Sequence, residues 1–185
     1  PGSRPQEVQR MLPTLLDSAV ELAKEGDYKF AVAAVDGNID YDKYIKLCKI
    51  PVDCVYGRTR ELIAQSRLVI ASSGTATLET GIIGRPMIVI YKTGTITYLI
   101  ARRLVKLDKI ALINISAGEK IVPELLQSDA IPENIVREAK LFLDDEDNCI
   151  NVISALNAVT DRLNESGASA KAAEAVMRYI VDAAL

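Results

Sequence analysis

The chain has 185 residues, about half of them apolar, with Lys+Arg 22 against Asp+Glu 25 and a net charge of −3. That length gives one domain or slightly more with a sizeable core. The acidic balance and scarce aromatic residues argue against a general nucleic-acid binder.

There is no His, so a Ser-His-Asp triad, a His base and most zinc sites cannot be built from this chain. Cys48, Cys54 and Cys149 lack metal-ligand spacing and read as reduced thiols in a cytoplasmic protein. No apolar stretch is long enough to span a bilayer, and no signal peptide is visible.

Pro1-Gly2-Ser3-Arg4 reads as a turn whose preceding strand lies upstream, near the middle of a sheet. The chain is therefore expected to be a piece of a longer protein. Apolar residues at helical spacing (Val8, Met11, Leu12, Leu15, Leu16, Ala19, Leu22) predict a helix over 6–24, with Pro13 as a candidate kink. A strand over 28–35, a short helix over 40–49, a strand over 52–56 and a helix over 59–66 follow. Then comes the most informative run, Leu68-Val69-Ile70-Ala71-Ser72-Ser73-Gly74-Thr75-Ala76-Thr77-Leu78-Glu79. It reads as a buried parallel strand, a small hydroxyl-rich turn, and a helix that starts near Thr75 and ends around Gly84. Residues 87–91 predict a strand, 96–106 a helix and 110–113 a last strand. Beyond Pro123 the pattern predicts helices only, over 124–127, 133–143, 148–163 and 168–184. Asp144-Asp145-Glu146-Asp147 reads as a solvated link, and no metal site is expected.

Strands alternating with helices imply βαβ units and an α/β fold with a doubly wound parallel sheet. Ligands of such sheets bind at the carboxyl ends of the strands. The loops at those ends carry Gly2-Ser3-Arg4, Gly57-Arg58-Thr59, Ser72 to Thr75, Tyr91 to Thr97 and Asn114.

Ser73, Gly74 and Thr75 lie where a helix begins, so amide and hydroxyl donors and the positive dipole end converge on a phosphate-sized space. The same residues also serve as ordinary helix caps. Glu79 shares a helix face with Thr75, one turn on, where a carboxylate suits a ribose hydroxyl. Arg4 offers paired donors to the same anion; its other reading is a surface ion pair with Glu7. Asn114 suits bonds to a base or sugar, or a plain turn.

These residues sit in motifs that resemble the second domain of lipid-A-disaccharide synthases. The motifs are Pro-Gly-Ser-Arg-x-x-Glu-Val at the start, Ser-Gly-Thr-Ala-Thr-Leu-Glu at 73–79 and Arg-Pro-Met-Ile-Val-Ile-Tyr-Lys at 85–92. They continue with Thr-Tyr-Leu-Ile-Ala-Arg-Arg-Leu-Val-Lys at 97–106, Asn114, Ala-Gly at 117–118, Val-Pro-Glu-Leu-Leu-Gln at 122–127 and Gly-Ala-Ser-Ala-Lys-Ala-Ala at 167–173.

The resemblance implies the second, Rossmann-like domain of a two-domain GT-B glycosyltransferase. It implies a nucleotide-sugar-binding unit over 1–130 and a helical extension over 131–185 that packs on the domain or on a partner. The implied reaction transfers diacylglucosamine from its UDP carrier to a diacylglucosamine 1-phosphate, giving UDP and a β-1,6-linked disaccharide. Carried over, Arg4, Ser73, Gly74 and Thr75 face the diphosphate and Glu79 the ribose, while Asn114 and Gln127 belong to the donor site. The family's general base and acceptor pocket belong to its first domain, so no catalytic residue is assigned in this chain, and no cofactor or metal is expected. Two positions depart from the family pattern: Ile113 stands where Pro usually precedes the Asn, and Glu119-Lys120 where Arg usually follows Ala-Gly.

The stretch 95–109 sets Ile96, Leu99 and Leu104 beside Arg102, Arg103 and Lys106. An amphipathic basic helix of this kind either faces an anionic membrane surface or turns its apolar side into the core. With lipid substrates the first reading places the protein at the cytoplasmic face of the inner membrane, with the C-terminal helices available for a homodimer. Competing readings are another GT-B UDP-sugar transferase or a UDP-sugar epimerase, and a non-catalytic assembly module.

Overall fold

The computed structural model describes residues 1–37, 39–94, 109–163 and 168–183. Helix α1 (Pro5–Leu22) opens with Pro at its first position, where a missing N–H costs nothing. It buries the stripe Val8, Met11, Leu12, Leu16, Ala19 and Leu22. Then come β1 (Phe30–Ala34), α2 (Asp42–Ile45), β2 (Val52–Tyr56), α3 (Thr59–Gln65), β3 (Val69–Ser72), α4 (Thr75–Ile82) and β4 (Met87–Tyr91). After the next described residues come α5 (Leu112–Ala117), β5 (Glu124–Leu126) and a 3-10 turn over Gln127–Asp129. Helices α6 (Pro132–Leu143), α7 (Glu146–Leu163) and α8 (Ala168–Ala183) close the order.

All described strand pairs are parallel, and they fall into two sheets, β1-β2 and β3-β4-β5. Phe30 stands opposite Val52, Val69 opposite Met87, and Val89 opposite Glu124. Strand β4 is covered on both faces, which is why Met87, Ile88, Val89 and Ile90 form an unbroken apolar run. Side chains alternate across a strand. Ile88 and Ile90 therefore join a cluster with Met11, Leu22, Ile135, Ala139 and Phe142, while Met87 and Val89 join Ala111, Ile113, Val122, Leu156 and Val159.

Helix α1 serves both sheets. Its Met11 and Leu22 pack beneath β4, and its Val8, Leu12 and Leu16 pack with Val32, Ala34 and Tyr41. Phe30 of β1 leans on the β4 cluster as well. The result is an open α/β fold with helices on both faces. The helical segment from Pro132 adds α6 to one face and α7 to the other.

Two predicted elements are corrected. Residues 110–113 form no strand; the chain enters helix α5 there. Residues 124–127 form no helix; they supply β5 and the start of the 3-10 turn. The predicted helix over 96–106, with Arg102, Arg103 and Lys106, lies outside the described residues. Among the described residues no helix is long and apolar enough to cross a membrane. Nor is there a group of three or more His, Cys, Asp and Glu able to hold a metal ion. All three cysteines are free thiols.

Candidate functional site

Strand β3 delivers the hydroxyl-rich turn to the carboxyl edge of its sheet, and the turn is pinned from two sides. The Ser73 N–H donates to the Ile90 carbonyl at 3.1 Å, and Ser73 Oγ donates to the Ile110 carbonyl at 2.9 Å. Gly74 has φ 148° and ψ −161°, a region open essentially to glycine alone. Among the described residues a Cβ there would meet nothing within 4 Å, so the backbone conformation, not space, is what demands glycine. Thr77 closes the first turn, donating from N and Oγ1 to the Gly74 carbonyl at 3.1 and 2.8 Å. The Thr75 and Ala76 N–H groups have no intrahelical acceptor, and they mark the positive end of the α4 dipole.

The rear of α4 is buried. Thr77, Thr80 and Gly81 turn inward. A Cβ on Gly81 would come within 2.5 Å of Ile113 Cδ1 and 3.5 Å of a Leu156 methyl.

Glu79 extends from the same helix, half-buried, and its Oε1 accepts from Arg60 Nε at 2.5 Å. Arg60 comes from α3, so the pair joins the helix that follows β2 to the helix that follows β3. The bond and the charge of Glu79 hold the guanidinium still further above its usual basicity. Arg60 and Glu79 border a cleft of about 520 Å³ with Asp36, Gly57, Arg58 and Thr59, at the carboxyl ends of β1 and β2. A wider groove of about 600 Å³ runs between α1, α2 and α6, and none of the predicted site residues lines it.

The other predicted residues are placed differently. Arg4 caps α1 with its side chain 81% exposed and pairs with Glu7 Oε1 at 3.4 Å, the alternative read from the sequence. Glu7 Oε2 also accepts the Ser3 and Arg4 N–H groups at 3.1 and 3.3 Å. Among the described residues no hydrogen bond joins Arg4 to the 73–75 turn.

Asn114 is fully buried in α5. Its Nδ2 donates to the Val122 carbonyl at 2.9 Å and to Glu124 Oε1 at 2.8 Å; its Oδ1 accepts the Ile121 and Val122 N–H groups at 3.0 and 3.1 Å. The side-chain amide is thereby saturated, and it knots α5 to the segment leading into β5. Gln127 adopts φ 50°; its Oε1 accepts the Thr93 N–H at 3.3 Å, while among the described residues its buried Nε2 has no partner.

Two residues escaped the sequence reading. Glu124 accepts the Ile110 and Ala111 N–H groups at about 3 Å, capping α5 from a strand. Arg60 carried one signal, its place in the first turn after the flagged Gly57-Arg58-Thr59 loop.

Open parallel sheets with helices on both faces, and a glycine-dependent helix tip and cleft at the strands' carboxyl ends, define a doubly wound α/β protein of Rossmann-like type. Its sequence matches the family model described as lipid-A-disaccharide synthetase over residues 1–178, and the chain belongs to that family. It is 41% identical over 181 residues to a lipid-A-disaccharide synthase of Anaeromyxobacter dehalogenans (strain 2CP-C), an alignment covering 96% of this chain and 47% of that protein. The corresponding protein of Nitrosococcus oceani is 38% identical, covering 94% of this chain and 46% of its own length. That of Koribacter versatilis is 31% identical, covering 100% and 48%. The chain thus spans about half the length of the curated relatives it matches.

Proposed function

We propose that this chain is the UDP-sugar-binding half of a lipid A glycosyltransferase. The reaction joins UDP-2,3-diacylglucosamine to 2,3-diacylglucosamine 1-phosphate, releasing UDP. The observation that carries the reading is the α4 tip. A backbone that only glycine adopts presents two amides without an intrahelical acceptor to an anion, and a carboxylate stands one turn further on.

In this reading the diphosphate lies against Thr75 and Ala76, and the ribose hydroxyls donate to Glu79. Arg4 exchanges Glu7 for the diphosphate. An exposed ion pair is worth about 0.2–1 kcal/mol, and a charged hydrogen bond to phosphate about 1.5–3 kcal/mol, so the exchange is favourable. As the sugar's anomeric carbon leaves the nucleotide, these donors stabilise the charge that develops on the departing phosphate oxygen. Gln127 has a spare Nε2 donor near this edge, and Asn114 acts by holding the 121–124 segment in place. The proton of the acceptor hydroxyl goes to a base outside this chain.

Arg102, Arg103 and Lys106 face the anionic surface of the inner membrane on its cytoplasmic side in this proposal. Helix α8 leaves Val176, Met177 and Ile180 exposed, which supports contact with a second copy.

Calorimetric titration with UDP tests the reading. The wild-type protein binds, and Arg4→Ala and Glu79→Gln each weaken binding at least tenfold. The chain alone transfers no sugar. An assembly module would bind UDP in none of these proteins.

A further inference from the structure

We infer that Arg60 is a positioning residue for the nucleotide's ribose, acting through Glu79; this rests on the reading of the α4 tip as the nucleotide site. Arg60 contributes one bond, from Nε to Glu79 Oε1. Among the described residues no other hydrogen bond reaches the Glu79 carboxylate, so Oε2 is left for an incoming hydroxyl. A glutamate side chain has three soft torsions, and fixing it before the ligand arrives removes an ordering cost from binding.

The charges around the cleft single out this pair. Asp36, Glu61 and Glu79 all border it, against Arg58 and Arg60. Arg58 is engaged by Glu61 at 3.2 Å. Arg60 is therefore the cation left to hold Glu79, and without it the carboxylate keeps no partner that fixes its direction. The Arg60 side chain is 82% exposed and reaches Glu79 from a helix attached to the other sheet. Its loss therefore leaves the core untouched while freeing the carboxylate to turn toward solvent.

The test compares UDP with 2′,3′-dideoxy-UDP, by calorimetry, in the wild-type protein and in Arg60→Ala, Arg60→Lys, Glu79→Gln and the Arg60→Ala/Glu79→Gln double variant. Arg60→Ala is expected to raise the UDP Kd about threefold to fivefold, the scale of an exposed ion pair. It should leave dideoxy-UDP binding and the unfolding temperature unchanged and add nothing to Glu79→Gln. Arg60→Lys, which keeps the charge, should recover most of the loss. Tighter or unchanged UDP binding in Arg60→Ala, or an equal loss for both nucleotides, overturns the positioning role while leaving the nucleotide site standing. If Glu79→Gln binds UDP as the wild type does, both the role and the site reading fall together.

Discussion

Replacing Asn114 by Ala should unfold the protein more easily without touching the ligand. The substitution removes four hydrogen bonds at once. Val122 is 2% exposed, and it loses partners for both its N–H and its carbonyl. Each buried orphan costs roughly 1–3 kcal/mol. Ile121 and Glu124 are half-buried and recover water. The sum is about 2–6 kcal/mol, or a fall in Tm of roughly 10 °C at the middle of that range for a chain of this size. Urea unfolding followed by circular dichroism measures the first figure, and a thermal scan the second. Asn114→Asp keeps the accepted bonds but sets a second carboxylate against Glu124, so its penalty should shrink as pH falls through the carboxylate range. UDP affinity of folded Asn114→Ala should stay within about twofold of wild type, because the amide has no group left to offer. A tenfold loss of UDP affinity with stability within about 1 kcal/mol of wild type would refute this reasoning.

Three further outcomes follow from the same geometry. Gly74→Ala forces a side chain into a glycine-only conformation at roughly 1–3 kcal/mol; the turn should re-form elsewhere, and UDP titration should show a larger loss than urea unfolding does. Gly81→Val drives a branched side chain onto Ile113 and Leu156, overpacking the core by roughly 1–3 kcal/mol, a shift that urea midpoints resolve. Lys140 bonds Glu25 at 2.6 Å and, by that bond and then by its charge, holds the carboxyl below its usual 4.5. A depressed carboxyl stabilises the fold above its unfolded pKa, and that contribution is lost as pH falls through the lower folded value. Lys140→Met should therefore be less stable than wild type at pH 7, with the difference fading below about pH 4.5.

Where local pattern and tertiary role agreed, the sequence was legible. Val52–Tyr56 and Met87–Tyr91 are strands with the predicted ends, because apolar runs bounded by turns satisfy both the backbone and the core. The same reasoning failed over 110–127. Ile110-Ala111-Leu112-Ile113 has the look of a short buried strand. It enters a helix because Glu124, 13 positions beyond Ala111, supplies the cap, and no local window contains that partner. Pro123-Glu124 looks like a helix start, yet β4 offers an open edge, and the pairing of Val89 with Glu124 outweighs the propensity. At the site, the turn over 73–75 and the carboxylate at Glu79 were readable from residue type and spacing. The Arg60 partnership was not, since it depends on two helices meeting from different sheets. Arg4 had two readings from the start, and its side chain pairs with its neighbour Glu7.

The back of α4 carries a lesson about order of assembly. Its glycine-led tip is written in seven consecutive residues, but the wall behind it comes from Ile113, Leu156 and Thr160, whose hydroxyl reaches the Gly81 carbonyl from 79 positions away. A ribosome must therefore finish α7 before that wall can close. Until then the glycine turn lacks the packing that fixes its direction.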